Sequence, residues 1–340
     1  MERIRVGFAG LGGIARERHV PGFRALSGVE IAAVAARTPA SAAATAAELG
    51  IPRAHTGWEA LVADPGVDLV VVATWPDLHV PITLAALAAG KHVLCQARLS
   101  MDRAGADAVL GAMAAHPGQV VMVVPSPMTI RADAAIARIV ADGTLGAVRT
   151  VRLATSGGVT TADPWRRLRR HSGNNVMALG ILYEALLRWL PAATAVSATG
   201  AVMEPRVTWP DGRTEAADIP DHLVAVAELP GPIHATFDLS ATPRPEPDGV
   251  TIAGTAGALR YTWGDDRLLL ARSGGAPETV AIAEAERGDW RVEADVVAAI
   301  RDGAPVTRTD VPTAVRYMAF TDAVAEALRA GRRIEVPPVS

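Results

Sequence analysis

Val6-Gly7-Phe8-Ala9-Gly10-Leu11-Gly12-Gly13-Ile14-Ala15 is the stretch on which the reading of this chain turns. Apolar residues run into a glycine cluster and an alanine-containing segment continues beyond it. That order predicts a buried strand, a tight turn and the start of a helix. Gly10-x-Gly12-x-x-Ala15 fits the dinucleotide-binding fingerprint with alanine in the last place. Gly10 allows the tight turn, Gly12 lets the backbone come close to a pyrophosphate, and Ala15 is small enough for helix to lie on strand. Gly13 and Ile14 complete the turn, and the helix N-terminus offers free N–H groups and a positive dipole end to phosphates. Glycine-rich turns also occur where nothing binds, so the flanking stretches decide.

Working outward, a helix is expected through about Ala25, then a buried strand at Val29–Ala36. An acidic residue at the end of that strand would bind the ribose 2′-OH of NAD. Here the sequence is Ala36-Arg37-Thr38. An arginine beside a hydroxyl suits a 2′-phosphate and favours NADP; the alternative is a solvated surface arginine. Helices are expected at Pro39–Leu49, Trp58–Val62, Pro81–Ala89 and Met101–Ala115. Strands are expected at Val67–Ala73, His92–Cys95 and Val120–Val124. This alternation predicts α/β architecture with a doubly wound parallel sheet over residues 1–124. Ligands of such sheets bind at the carboxyl ends of the strands. Gly10–Ala15, Arg37, the run Thr74-Trp75-Pro76-Asp77-Leu78-His79, Gln96-Ala97-Arg98 and Pro125-Ser126 are therefore expected around one crevice.

Past residue 125 the pattern changes. Helices are expected at Ala132–Ala141, Asn174–Leu190, Trp290–Arg301 and Pro312–Ala330. Strands dominate from Ala195, with a hairpin about Pro230-Gly231-Pro232. Residues 125–340 thus read as an α+β domain with a large, mostly antiparallel open sheet for substrate and oligomer contacts; the C-terminal helix is a candidate to pack back on the first domain. Pro205–Pro220 and Thr242–Gly249, rich in Pro and Gly, are the expected mobile loops.

Composition narrows the classes. The chain has 340 residues, half of them hydrophobic, and a net charge of -3, which gives no electrostatic reason to expect nucleic acid or an anionic membrane. A single cysteine, Cys95, excludes an internal disulfide framework and a cysteine-based zinc site. The first strand begins within a few residues of the N-terminus, and no apolar run is long enough to cross a membrane. A cytoplasmic protein is the expectation. Lys91 is the only lysine; the other positive side chains are arginine.

Gly10-x-Gly12-x-x-Ala15, Thr74…His79, Ala89-Gly90-Lys91-His92-Val93-Leu94-Cys95 and Gly143-x-Leu145-Gly146-x-Val148 occur in that order. As a set they resemble the Gfo/Idh/MocA family of glucose–fructose oxidoreductase and inositol dehydrogenase, over essentially the whole chain. The resemblance implies a nicotinamide cofactor, NADP or NAD, and a homo-oligomer, dimer or tetramer, built through the second sheet. It implies sugars, cyclitols or similar small molecules as substrates. It also implies that His79, Arg131 and the pair Trp165-Arg166 line or flank the cofactor crevice, although Trp165 could equally be core.

The reacting groups depart from the family pattern. Its Glu-Lys-Pro motif is Gln96-Ala97-Arg98 here, and its helix Asp and His, aligned on Gly180, are Ala178 and Leu182. Ala97, Ala178 and Leu182 cannot exchange a proton with a substrate hydroxyl. Four substitutes lie nearby. Arg98 is too basic to act as a base but could bind a carboxylate or stabilise an oxyanion. Tyr183 is one residue past the missing histidine and so about 100° around the helix; a ring packed in the core is the competing reading. His171 could titrate near neutrality or be a solvated loop residue. Asn175 could bond a substrate or cap the helix. No metal cluster is visible. Three functions remain open: an NAD(P)-dependent oxidoreductase with rearranged acid–base groups, a non-catalytic nicotinamide-binding or regulatory protein, and a non-redox enzyme that retains bound nicotinamide.

Overall fold

The computed structural model describes residues 3–125, 130–157, 163–308 and 310–339; Ser126 of the expected crevice lies outside them. The chain divides into two compact units, residues 1–125 with 291–315, and residues 126–290 with 316–340. A single cut after residue 124 therefore misses the segment Arg291–Val315, which returns to the first unit.

In the first unit six strands form a parallel sheet: β1 (Ile4–Ala9), β2 (Val29–Ala36), β3 (Arg53–Thr56), β4 (Leu69–Val72), β5 (His92–Cys95) and β6 (Val121–Val123), in the order β3-β2-β1-β4-β5-β6. β4 reads Leu-Val-Val-Val and is buried at every position, as a parallel strand covered on both faces must be. The helices are α1 (Val20–Arg24), entered through a π turn at Ala15–His19, α2 (Pro39–Leu49), α3 (Trp58–Ala63), α4 (His79–Ala88) and α5 (Arg103–Ala115). Local chemistry fixes their ends. Thr38 caps α2 by accepting from Ser41 N at 3.2 Å, Pro39 fills the first turn, and Gly50 closes it at φ 59°. Asp102 caps α5 through Gly105 N at 2.8 Å. Lys91 is buried just before β5, where Nζ donates to the Asp64 and Val67 carbonyls at 2.8 and 2.7 Å. Val67 precedes β4, so the only lysine staples the amino ends of two parallel strands, the edge opposite the one that binds ligands.

The second unit holds a nine-stranded sheet of β7 (Val148–Ser156), β8 (Ala195–Ala201), β11 (His222–Leu229), β12 (Ile233–Ser240), β13 (Gly249–Gly254), β14 (Gly257–Thr262), β15 (Arg267–Arg272), β16 (Glu278–Thr279) and β17 (Ile334–Glu335); β9 (Arg206–Thr208) and β10 (Thr214–Ala216) pair separately. Its order is β16-β15-β14-β13-β7-β12-β11-β8-β17, antiparallel throughout except where β12 runs parallel to β7. Val151, Leu153, Ala225, Ala235, Phe237 and Ile252 alternate inward and are buried. Arg152, Val226, Thr236 and Thr251 alternate to the other face and are half-buried or exposed. The unit's helices are α6 (Asp133–Ala141), α7 (Arg169–Ser172) and α8 (Leu179–Leu187); the returning segment contributes α9 (Val292–Asp302) to the first unit, and α10 (Val311–Ala330) runs through the boundary at residue 315.

Two expectations change. The helix expected over Asn174–Leu190 begins only at Leu179. Asn175 turns back to donate to the Ser172 carbonyl at 2.7 Å, and Met177 sits at φ 46°, outside helical space. Nothing in the apolar run Val176–Leu179 distinguishes turn from helix. The expected mobile loop at Pro205–Pro220 carries the β9–β10 hairpin. It is anchored where Asp221 accepts from Met203 N at 2.6 Å and Glu204 N at 2.9 Å and pairs with the buried Arg167 at 2.9 Å.

Candidate cofactor-binding edge

The carboxyl ends of β1, β2, β4 and β5 bring most of the expected first-unit residues to one edge of the parallel sheet. Gly10 leaves β1 at φ 76°, and a Cβ there would stand 2.9 Å from the Ala73 carbonyl oxygen and 3.1 Å from the Thr74 side chain. Only glycine fits, because both the dihedral and the space forbid a side chain. Gly12 is the opposite case: a Cβ there meets nothing within 4 Å. Packing within the protein does not require a glycine at 12, yet the surface over it is open. That combination is what a backbone approached by a ligand presents. Gly13 and Ile14 are exposed in the same turn, and Ala15 is buried where helix meets strand. The residues present therefore fit a dinucleotide pyrophosphate.

At the end of β2, Arg37 is exposed, and no carboxylate pairs with it among the described residues. Thr38 stands beside it with its hydroxyl engaged in the α2 cap. After β4, Thr74 donates to the Trp75 carbonyl at 3.2 Å, and Pro76 is buried. His79 is buried between two backbone oxygens, that of Arg98 2.8 Å from Nδ1 and that of Thr74 3.0 Å from Nε2. Burial holds its pKa below the usual histidine value, so the neutral ring donates to one of these carbonyls at a time. His79 is thus a pin between the loops that follow β4 and β5. Arg98 is 4% exposed, and the Ala97–Arg98 peptide is cis. Cys95 lies just below, its thiol pushed by burial to about 12, which makes it inert at neutral pH.

Gln96 belongs to a cluster that sequence reasoning missed. Its Nε2 lies 2.6 Å from His19 Nε2, and His19 Nδ1 bonds the Glu293 carboxylate. Glu293 is 274 residues from His19, so no local pattern could join them. The only sequence signal was a histidine four residues past Ala15.

The remaining candidates lie in the second unit. Tyr183 requires a correction: it is fully buried, stacked on Phe320 with ring centroids 3.8 Å apart, and its hydroxyl accepts from Ala193 N at 2.8 Å. Burial raises its pKa to about 12. It is a core residue and holds its proton. Asn175 is also buried and closes the turn before α8. His171 accepts from Arg170 Nε at 3.2 Å and meets Trp209 edge-on at 6.3 Å. Arg166 stacks 4.3 Å over the Trp165 ring and pairs with Asp163 at 3.0 Å. Arg131 pairs with Asp266 at 3.2 Å. Leu182 is core and Ala178 precedes α8, so neither replaces a proton-handling group. Among the described residues no cluster of His, Cys, Asp or Glu could hold a metal ion, and no helix is long and apolar enough to cross a membrane.

Comparison with known proteins agrees with this geometry. Residues 4–124 match the model of an oxidoreductase family with an NAD-binding Rossmann fold, and residues 134–260 match the GFO/IDH/MocA C-terminal domain. The mouse trans-1,2-dihydrobenzene-1,2-diol dehydrogenase is 26% identical over 71% of this chain and 69% of its own. The 1,5-anhydro-D-fructose reductase of Ensifer adhaerens is 44% identical, but over 28% of this chain and 29% of its own. Levoglucosan dehydrogenase in complex with NADH superposes with a TM-score of 0.86 over 99% of this chain and 100% of its own, at 20% identity; at that identity the likeness is one of fold.

Proposed function

The chain belongs to the Gfo/Idh/MocA family of NAD(P)-dependent oxidoreductases, and from that premise we propose that it exchanges hydride between NADPH or NADP and a small sugar-, cyclitol- or carbonyl-type substrate, without the family's lysine, aspartate and histidine. The observation that carries this reading is the cradle at the end of β1, closed to any side chain at Gly10 and open at Gly12. The names of the relatives above, a diol dehydrogenase and two sugar-type oxidoreductases, support the substrate class. When bound, the nicotinamide supplies the hydride donor or acceptor.

The chain's own residues divide the remaining work. The N–H groups of the turn at Gly12–Ile14 hold the pyrophosphate. Arg37 takes the 2′-phosphate as a charge-assisted pair, which favours NADPH over NADH. Arg98, too basic to give up its proton, stabilises negative charge on a substrate oxygen, and so favours carboxylate- or carbonyl-bearing substrates over neutral polyols. The half-exposed face of the nine-stranded sheet, which includes Val226 at 40% exposure, serves as the contact between copies in a homo-oligomer.

A second reading, nicotinamide binding without hydride chemistry, draws on Ala97, Ala178, Leu182 and the core position of Tyr183. Titration of the protein with NADPH and NADH, followed by cofactor fluorescence, tests the common premise. Saturable binding with NADPH the tighter is expected; no binding of either removes both readings. Single-turnover oxidation of bound NADPH by a panel of small carbonyl compounds then separates them.

A further inference from the structure

The Gln96–His19–Glu293 cluster lies wholly within the first unit, and its construction is costly. The side chains of His19 and Glu293 are 0% and 5% exposed. Burying a carboxylate away from water is unfavourable unless a partner compensates. Room for it is made in the interior of α1, where a Cβ on Gly22 would stand 2.6 Å from the Glu293 carboxyl. Glycine inside a helix is itself destabilising. Three residues from three distant parts of the chain therefore meet at the end of β5.

The order of donors and acceptors follows from the distances. A carboxylate only accepts, so His19 Nδ1 carries the proton that bonds Glu293. The Gln96 amide nitrogen can only donate, so His19 Nε2, 2.6 Å away, accepts from it and carries the lone pair. This fixes the rotation of the Gln96 amide, because its nitrogen is committed inward and its oxygen faces the other way. Gln96 is half-buried at the carboxyl end of β5. In a sheet of order 3-2-1-4-5-6 the end of β1 takes the pyrophosphate and the end of β2 the adenosine ribose, so the nicotinamide half falls on the β4–β5 side.

We propose that Glu293 is a positioning residue: acting through His19, it holds the Gln96 amide with its nitrogen inward and its oxygen offered at the sheet edge as the acceptor for the nicotinamide carboxamide. The inference rests on the cofactor reading above and adds to it a residue contributed by α9, far outside the dinucleotide fingerprint.

A double-mutant cycle on cofactor affinity tests it. Glu293→Gln, Gln96→Ala and the double variant are titrated with NADPH, and their melting temperatures are recorded. Glu293→Gln should weaken NADPH about fivefold or more in the parent background and less than twofold in the Gln96→Ala background, while its effect on melting is the same in both. Equal weakening in both backgrounds, or none in either, overturns the proposal, because a merely structural carboxylate acts whether or not Gln96 is present. His19→Asn, titrated alongside, should match Glu293→Gln in affinity if the latter melts too low to assay. The ligand-free parent, labelled with 15N-histidine, gives an independent readout: His19 should show protonated Nδ1 and unprotonated Nε2. An imidazolium there would turn the amide over and overturn the proposal. A parent that binds neither dinucleotide removes the cofactor reading and this inference together; a parent that binds NADPH without coupling removes this inference alone.

Discussion

Replacing Gly12 by alanine separates a ligand cradle from an ordinary glycine turn. The added methyl meets no protein atom within 4 Å, and φ at Gly12 lies outside the left-handed region. Folding should tolerate it, and restricting the unfolded chain should add about 0.4–1 kcal/mol of stability. The same methyl stands where a pyrophosphate must approach the backbone. Losing one charge-assisted hydrogen bond to a phosphate costs about 1.5–3 kcal/mol, a factor of about 10 to 150 in affinity. Gly10→Ala is the control. Its methyl would stand 2.9 Å from the Ala73 oxygen at φ 76°, so it should lower the melting temperature as well. Fluorescence titration with NADPH and thermal melting, run on all three proteins, read both quantities. A Gly12→Ala protein that melts at or above the parent and has lost affinity is the expected result. One that binds NADPH as tightly as the parent would refute the cradle.

Four further outcomes are expected. Arg37→Ala should weaken NADPH about tenfold, the scale of a charge-assisted phosphate contact, and leave NADH nearly unchanged; equal affinities of the parent for the two cofactors would count against the assignment. Arg98→Ala should lower turnover by the equivalent of about 2–4 kcal/mol of transition-state binding; Lys91→Met should instead lower the melting temperature, since it strands the Asp64 and Val67 carbonyls, and a loss of kcat in Lys91→Met at a temperature where it is folded would reverse the two roles. The Asp68 carboxyl is held below the usual range chiefly by hydrogen bonding from Arg5, at 2.9 and 2.7 Å. A depressed folded-state pKa contributes stability above the unfolded value of about 4 and loses it as the pH falls toward the folded one, so the stability gap between parent and Asp68→Asn should be full at pH 7 and narrow below pH ~4; a constant gap in denaturant titrations would refute it. Light scattering at micromolar concentration should give a dimer or larger, and Val226→Glu, on the half-exposed sheet face, should shift it toward monomer; a monomeric parent would dispose of that contact.

The parallel sheet was legible because its signals are local. β4 is a continuous apolar run and β1 ends in Gly10 and Gly12, so strand type and ligand edge follow from a few neighbouring residues. Boundaries failed where two physical solutions share one pattern. Val176–Leu179 is apolar as either a turn or a helix, and the decision lies with the Asn175 amide, whose partner the sequence does not announce. Tyr183 shows the same limit: its place beside the missing histidine made it a chemical candidate, while its stacking on Phe320 comes from a helix 137 positions further on.

The cluster at Gln96 shows why departures from a family pattern are better read in three dimensions than along the chain. In the sequence, glutamine in place of the Glu of Glu-Lys-Pro looks like the loss of one more acid. In the structure it faces His19, whose other nitrogen is already held by a carboxylate. A glutamate at 96 would set a second anion against the same ring and require it to be an imidazolium, for a net charge of about -1 over the three groups. With glutamine at 96, the tautomer proposed above, a neutral ring beside an ionised Glu293, also sums to about -1. On that proposal the substitution conserves the charge of the buried cluster and changes only where the proton and the free oxygen lie. The missing lysine at Ala97 has a cation beside it in Arg98, but one too basic to exchange a proton. What this chain retains at the end of β5 is thus a hydrogen-bonding geometry without a proton shuttle, which is why cofactor affinity, rather than turnover, is the first quantity in which its residues should declare themselves.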